Sequence, residues 1–569
     1  MKETTYGDPG FSRFIRRAFS RNLGLDPSDW EKPVIGICNT ESEINRCHAH
    51  FGPLVEAVKR GVLMAGGVPL EFPTISLGEL YLSPTSMLFR NLAAMDTEEM
   101  IRAQPIDGVV LMGGCDKTIP AQLMGAASAD TPAIVVSGGP MINGEYEGRT
   151  LGACTDCRYY WQEYRAGQID EAELENINER LAPSDGHCMV MGSASTIAIC
   201  TEALGMMLPG GAAVPAPYNL RKHVAKASGK QIVELVRAGI KPSDIMTSDA
   251  FENAIRLLMA VGGSTNAVIQ LTAIAGRLGF KIPLTLYDDI SRSTPLLANI
   301  RPTGRYQMEE FFHAGGVPRV MKELEDVLHT QCLTVTGKTV EENLRPVTRT
   351  ESYRDVIRSR EDPLYGDGGI VILQGNLAPT GAVIKPKAGT PELLTHTGRA
   401  VVFESIADME QRIDREDLDV RADDILVLRN AGPIGAPGMP EAGMLPIPKK
   451  LLARGVRDMV RISDCRMSGT AFGTVVLHVS PESAAGGPLS LIQSGDFIAL
   501  DVPNRRLDVL LSDVELQRRQ REWTPPHYTE KRGYVWMYRR HVLQADEGCD
   551  FDFLRGDYEG LDVGQNGKT

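Results

Sequence analysis

The chain has 569 residues, 43% hydrophobic and 23% charged, with a formal net charge of −13. This length exceeds what one hydrophobic core serves and predicts two or more domains of a globular protein. The acidic balance argues against a broad nucleic-acid surface, and no apolar run approaches the length of a membrane span. The start, Met1-Lys2-Glu3-Thr4-Thr5-Tyr6-Gly7-Asp8, has no apolar core of a signal peptide, so a cytoplasmic location is expected. Ten cysteines in so long a chain do not make a disulfide scaffold. In a reducing compartment some can serve as metal ligands or catalytic groups.

The first thirty residues are polar and predict irregular structure, with Pro27-Ser28-Asp29 as a turn. Pro33 to Cys38 predicts a strand that runs into a polar loop, Asn39 to His48. A helix follows from about Pro53, with Leu54, Val55, Val58 and Val62 on one face, and Gly66-Gly67 stops it. Phe72 to Glu79 is a strand-to-loop passage. Gly108 to Met112 predicts a buried strand, and Pro120 to Met124 a helix with proline in its first turn. Ala133 to Val136 closes a strand–helix–strand unit. Its turn, Gly113-Gly114-Cys115-Asp116-Lys117-Thr118, lies where open α/β sheets bind ligands, at the carboxyl ends of strands.

Tyr159 to Leu181 is charged and helical in pattern, a surface excursion. Ser184 to Thr196 is a small-residue loop feeding a helix that ends near Gly205. Ala250 to Val261 and Asn266 to Leu278 predict two helices joined by Gly262-Gly263-Ser264-Thr265. The polar stretch between Val340 and Asp367 predicts a domain boundary. The expected architecture is therefore an N-terminal doubly wound α/β domain (1–367) and a β-rich, barrel-like or sandwich C-terminal domain (368–569). Strands are expected at Gly369 to Leu373, Ala400 to Glu404, Ile425 to Leu428, Asp458 to Ile462 and Phe497 to Val502, with helices at Leu445 to Leu452 and Val514 to Trp523.

Three cysteines occupy loops of one kind. Cys47 and Cys188 precede helices, and Cys115 lies between a strand and a helix. Helix starts favour thiolates, and three ligands from separate turns could hold an iron–sulfur cluster with one iron partly open, a Lewis acid. From spacing alone, the favoured reading is instead that buried cysteines act as small hydrophobes. Cys154-Thr155-Asp156-Cys157 is the only Cys-x-x-Cys. It lacks the second pair or histidines that a zinc site wants, and is expected to be incidental. Glu79, Asp116 and Glu441 lie in glycine- or proline-bearing loops and offer the oxygen ligands that magnesium takes, although single loop acids are usually just solvated. Arg461 to Thr474 combines a strand with a hydroxyl-rich glycine turn, Ser468-Gly469-Thr470. It is not a Gly-x-Ser-x-Gly elbow, because Arg466 stands two before Ser468. A turn that satisfies its own backbone is the alternative.

Together, Gly114-Cys115-Asp116-Lys117-Thr118, the Cys188 loop, Gly262 to Ala267, Pro437-Gly438-Met439-Pro440-Glu441 and Ser463 to Gly487 resemble the dihydroxy-acid and 6-phosphogluconate dehydratases, over nearly the whole chain. The resemblance is to their sugar-acid branch, which includes arabinonate and xylonate dehydratases. It implies a [2Fe–2S] cluster on Cys47, Cys115 and Cys188, and magnesium on Glu79, Asp116 and Glu441 with a carbamylated Lys117. It also implies Ser468 as base with Thr470 as its helper, an active site between the domains, a small-molecule sugar-acid substrate, and a homodimer or homotetramer. Cys465, Leu477-His478 and Cys154-x-x-Cys157 depart from the family's usual pattern.

The expected reaction is dehydration of an aldonate to a 2-keto-3-deoxy acid. A branched-chain dihydroxy-acid dehydratase is the alternative, with the same chemistry and a more apolar pocket. A 6-phosphogluconate dehydratase fits less well, since no basic cluster for a phosphate stands out. A non-catalytic iron–sulfur sensor would leave Glu79, Glu441 and Ser468 without a role, and no DNA-binding helix pair is evident.

Overall fold

In the computed structural model, which describes residues 7–349 and 352–556, four parallel strands form the first sheet. They are β1 (Val34–Asn39), β2 (Val68–Pro73), β3 (Gly108–Gly113) and β4 (Ala133–Ser137), in the order β2-β1-β3-β4. Every residue of β1, β3 and β4 is buried, which explains why they read as unbroken apolar runs rather than alternating ones. The chain leaves β1 for one neighbour, β2, and returns on the other side as β3. Between β1 and β3 the winding therefore reverses, and the loops after these two strands splay apart to leave a crevice.

Those two loops carry Cys47 and Cys115. The helix after the first runs from Phe51 to Met64, and the helix after the second from Thr118 to Ala129, close to where periodicity puts them. Later helices, Ser193–Ala203, Ser248–Ala260 and Asn266–Arg277, pack into the same core. A small hairpin, β5 (Gly144–Tyr146) and β6 (Arg149–Leu151), precedes the charged excursion, which forms helices Thr155–Arg165 and Glu171–Asn178.

The second sheet has eight strands: β7 (Val371–Leu373), β8 (Gly381–Ile384), β9 (Thr395–Phe403), β10 (Ile425–Leu428), β11 (Arg461–Ser463), β12 (Val475–Ser480), β13 (Phe497–Asp501) and β14 (Arg506–Val509). Their order is β14-β13-β9-β10-β11-β12-β8-β7. The two ends meet: Gln374, just past β7, donates to the Arg505 carbonyl at 2.9 Å and accepts from the Leu507 amide at 3.0 Å. The sheet is thus nearly closed, and its barrel-like character is what the sequence predicted. Along β9, Ala400 and Val402 face the barrel core, while Val401 and Phe403 face an outer layer with helix Ile406–Arg412. Val383, Val475 and Leu477 instead join the core of the N-terminal part, which fuses the two units.

Two expectations need correction. The N-terminal segment is not irregular: Pro9–Ser20 is a helix, because the Asp8 carboxylate accepts from the Gly10 and Phe11 amides and Pro9 opens the first turn. The preceding residues, Met1 to Tyr6, lie outside the described residues. The helix expected over Leu445 to Leu452 is only Lys449–Leu452, since Pro446 and Pro448 cannot donate the amide bonds of a longer one. Past the barrel, helix Gly533–His541 and the segment to Leu554 return to pack on Met87, Leu88 and Ile269. The Arg277 guanidinium clamps Asp550 there, at 2.6 and 3.1 Å. No helix among the described residues is long and apolar enough to cross a membrane.

Candidate active site

The crevice at the ends of β1 and β3 continues into a cavity of about 200 Å³ that the barrel closes from the other side. Cys47, Cys115 and Cys188 line it, as do Glu79, Asp116, Glu441, Ser468 and Thr470. Residues from six separate loops thus converge on one space.

The thiol end is built by close approach of backbone. A Cβ on Gly114 would lie 2.5 Å from the Cys47 carbonyl, so only glycine lets the two loops touch. His48 fastens them: its Nε2 accepts from the Gly114 amide at 2.9 Å, which leaves the proton on Nδ1, 3.0 Å from the Thr40 carbonyl. Burial pushes the His48 ring down to about 3, so it is neutral. Contact with Cys47 and then burial push the Cys115 thiol well up, and it keeps its proton here. A bound metal would release that proton. Cys188 faces the same cavity, but its nearest sulfur is that of Cys154, at 3.0 Å. The Cys-x-x-Cys pair is therefore not incidental in position, contrary to the sequence reading, and Cys154 itself lines the cavity. Nothing in the spacing pointed to this contact, since Cys154 and Cys188 are joined only through tertiary structure.

The oxygen end is a charge cluster. Carboxylate oxygens of Glu79, Asp116 and Glu441 lie within 4.8 Å of one another. Lys117, fully buried, stands among them, with Nζ 3.0 Å from Glu79 Oε2, 3.2 Å from Glu441 Oε1 and in contact with Asp116. Arg466, also fully buried, pairs with Glu441 at 3.0 Å and is oriented by the Met439 carbonyl at 2.8 Å. Three acids against two bases leave an anionic balance in a space largely shut from water.

Burial pushes the Glu79 carboxyl up, but Lys117 and Arg466 outweigh it and hold that group well below the usual carboxylate range. Asp116 goes the other way: burial, reinforced by Glu441 and Glu79, raises it despite Lys117. Burial and Arg466 also work against the Lys117 ammonium, yet the three acids win and its proton is held more tightly than usual. Sequence reasoning missed the hydroxyls that hold Glu79: Thr85 donates at 2.7 Å, and Ser86 contacts the other oxygen. It also missed Arg466 as a partner of Glu441.

The serine turn presses against the N-terminal helices. A Cβ on Gly469 would lie 2.6 Å from the Ser264 side chain, so glycine is required. The Gly469 amide donates to Ser193 Oγ at 3.2 Å, and Asn266 Nδ2 bridges Ser193 Oγ and Glu441 Oε1, both at 2.9 Å. Ser468 Oγ and Thr470 Oγ1 are 2.8 Å apart, and the Thr470 carbonyl accepts from Thr155 Oγ1 at 2.9 Å. The hydroxyl pair is thereby fixed in the cavity wall.

The donor sets fit what the residue types imply. An all-oxygen group of clustered acids suits a hard divalent cation, and thiols facing one cavity suit iron. An α/β domain and a barrel together enclose thiols, acids and a serine–threonine pair in one cavity, as in a two-domain enzyme. The sequence comparisons agree: the dihydroxy-acid/6-phosphogluconate dehydratase N-terminal model matches residues 32–343, and its C-terminal counterpart matches residues 355–549. The chain belongs to that family and is a hydro-lyase.

Among its relatives is the L-arabinonate dehydratase of Rhizobium leguminosarum bv. trifolii, 50% identical over 554 residues, covering 97% of this chain and 95% of that one. The 6-deoxy-6-sulfo-D-gluconate dehydratase of Pseudomonas putida is 45% identical over 95% of this chain and 94% of its own. The dihydroxy-acid dehydratase of Acetivibrio thermocellus is more distant, 40% identical over 95% of this chain and 98% of its own.

Proposed function

We propose that the chain dehydrates an aldonic acid to a 2-keto-3-deoxy acid. The observation that carries this reading is the placement of the Ser468–Thr470 hydroxyl pair on the same cavity as three acids and the thiols of Cys47, Cys115 and Cys188. Dehydratases of this family generally depend on an iron–sulfur cluster and magnesium. Here Cys47, Cys115 and Cys188 would hold the [2Fe–2S] cluster. Glu79, Asp116 and Glu441 would hold Mg²⁺, and Lys117, once its ammonium has given up the proton that the three acids hold on it, would add an oxygen as a carbamate. When bound, these groups supply Lewis acidity at the carboxylate end of the substrate and at the departing hydroxyl.

Losing water from a 2,3-dihydroxy acid requires removal of a weakly acidic C2 proton. Ser468 Oγ, as the alkoxide, is the base in this reading: Thr470 Oγ1, 2.8 Å away, donates to that alkoxide and holds it in place until it takes the C2 proton and becomes a neutral hydroxyl. Asn266 and Arg466 fix Glu441, so the acid end cannot relax as the substrate enters. Lys117 and Arg466, both fully buried beside these acids, keep their charges effective. The enol product then tautomerises to the 2-keto acid.

A sugar acid is favoured because relatives that act on such acids are more similar than those named for dihydroxy acids. Extra hydroxyls also need partners, and a pocket built to bond them penalises an analogue that lacks them. Ser193 is one candidate partner on the cavity wall. The test compares kcat/KM for arabinonate, xylonate, galactonate, gluconate and 2,3-dihydroxyisovalerate, anaerobically and with magnesium. A preference for the branched-chain acid would replace this reading with the amino-acid biosynthetic one. We also place the enzyme in the cytoplasm as a homodimer or homotetramer. The exposed apolar side chains Phe14, Phe19, Leu23, Leu63 and Met64 are compatible with self-association, which mass measurement in solution tests.

A further inference from the structure

One contact in the cavity has no role in the reaction above. Cys154 Sγ lies 3.0 Å from Cys188 Sγ, about 1 Å beyond a sulfur–sulfur bond. The position is built rather than incidental. Cys154 has φ +72° and ψ −37°, a conformation that a non-glycine residue adopts only when its surroundings force it.

The surroundings do so on both flanks. The Ala153 amide donates to Met189 Sδ at 2.8 Å, which ties this loop to the Cys188 loop. Thr155 bonds the Thr470 carbonyl, and Asp156 accepts from the Gly152 amide at 2.5 Å and pairs with Arg301 at 2.7 Å. Helix Thr155–Arg165 starts immediately after the thiol. Both sulfurs belong to half-buried residues on the open cavity, where a small oxidant can enter.

We propose that Cys154 and Cys188 are a redox pair that closes to a disulfide when the cluster is absent, with a peroxide as oxidant. One thiol gives up its proton and attacks a peroxide oxygen, the O–O bond breaks, and the departing hydroxide takes up that proton, leaving a sulfenic acid and water. The second thiolate attacks that sulfur, the S–O bond breaks, and the second water leaves as the S–S bond forms. Two thiols and one hydrogen peroxide thus give one disulfide and two waters, and an external dithiol returns the two electrons. Without a neighbour, a sulfenic acid on Cys188 would go on to the irreversible sulfinic acid. Cys154 therefore keeps Cys188 recoverable.

The pairing itself is independent of the proposed function. Its consequence for the cluster rests on Cys188 being a cluster ligand. The experiment exposes the full chain, cluster-free and cluster-loaded, to hydrogen peroxide, a stoichiometric amount for the linkage and a several-fold excess for the sulfinic-acid comparison, then alkylates free thiols and maps peptides by mass. The cluster-free chain is expected to yield a Cys154–Cys188 linked peptide with two thiols lost. After dithiothreitol, it should regain visible cluster absorbance with iron and sulfide, whereas Cys154→Ser and Cys154→Ala should accumulate sulfinic acid at Cys188 and regain several-fold less.

A link confined to Cys154 and Cys157, or equal Cys188 sulfinic acid in wild type and both variants, would overturn the proposal. Because the mapping on the unmutated chain stands alone, a variant that misfolds does not spoil the test. If the loaded chain forms the Cys154–Cys188 link as fast as the cluster-free one, the pairing stands and the ligand assignment of Cys188 fails.

Discussion

Lys117 Nζ, at the end of β3, lies 3.2 Å from Oε1 of Glu441, which the barrel part of the chain supplies. This contact joins the two halves at the charge cluster, 324 residues apart in sequence. Arg466 meets the same oxygen at 3.0 Å. The acid of Glu441 is therefore a shared anchor, and its two cations are both fully buried.

Removing one of those cations leaves the acids uncompensated. Arg466→Leu is expected to destabilise the protein by about 3–5 kcal/mol, as breaking a buried pair on one side does. Replacing an exposed surface pair such as Arg415–Asp417 by alanines should leave the midpoint nearly unchanged. Denaturant midpoints of the two variants measure the contrast. Equal, small losses would show that Glu441 is solvated in solution.

Ser468→Ala should keep the fold while lowering kcat by on the order of a thousandfold, as loss of a proton-transfer group does. Thr470→Ala should cost less, because its hydroxyl acts on Ser468 rather than on substrate. Steady-state kinetics on the preferred aldonate decide it. A Ser468→Ala enzyme within a few-fold of wild type would move the base elsewhere.

The two ends of the cavity should be separable. Serine at Cys47, Cys115 or Cys188 should remove the brown colour of anaerobically purified protein, while serine at Cys157 should leave it. Chelation of divalent cations should abolish turnover and leave the visible spectrum unchanged. Absorption spectra with iron and sulfide analysis make both measurements. Loss of colour on mild chelation would instead put the cluster at the acid end.

His478 provides a pH prediction away from the ligands. Its ring is buried, its Nε2 has no partner among the described residues, and burial followed by Arg466 pushes it down to about 3. A depressed basic group stabilises the fold above its ordinary value of 6.5 and loses that contribution as pH falls toward 3. At pH 5 the loss is about 2 kcal/mol by linkage. His478→Asn should abolish that part of the acid sensitivity, and asparagine tolerates the φ of +54° that the β12 bulge imposes. Urea midpoints at pH 7.5 and pH 5 test this; an unchanged acid slope in the variant would assign the sensitivity to other groups.

The sequence by itself determined the local architecture. Apolar runs such as Gly108 to Met112, followed by a glycine turn and a proline-led helix, specify β3 and its helix because period and turn chemistry are local properties. The ligand loops could likewise be located, since Cys47, Cys115 and Glu79 all follow strands of one parallel sheet. Where local signals competed, the reading slipped: Asp8 capped a helix in a stretch that looked irregular, and two prolines shortened the helix before Leu452.

Tertiary structure alone decided which side chains meet. Strand order put the Cys47 and Cys115 loops at one reversal point, and barrel closure carried Glu441 and Arg466 onto Lys117. The strained turn at Cys154 is held by Met189, Thr470 and Arg301, all distant in sequence, so no spacing rule could predict its contact with Cys188. Periodicity encodes which face of an element is buried. It does not encode which distant loop will lie against that face, because that depends on the packing of all elements at once.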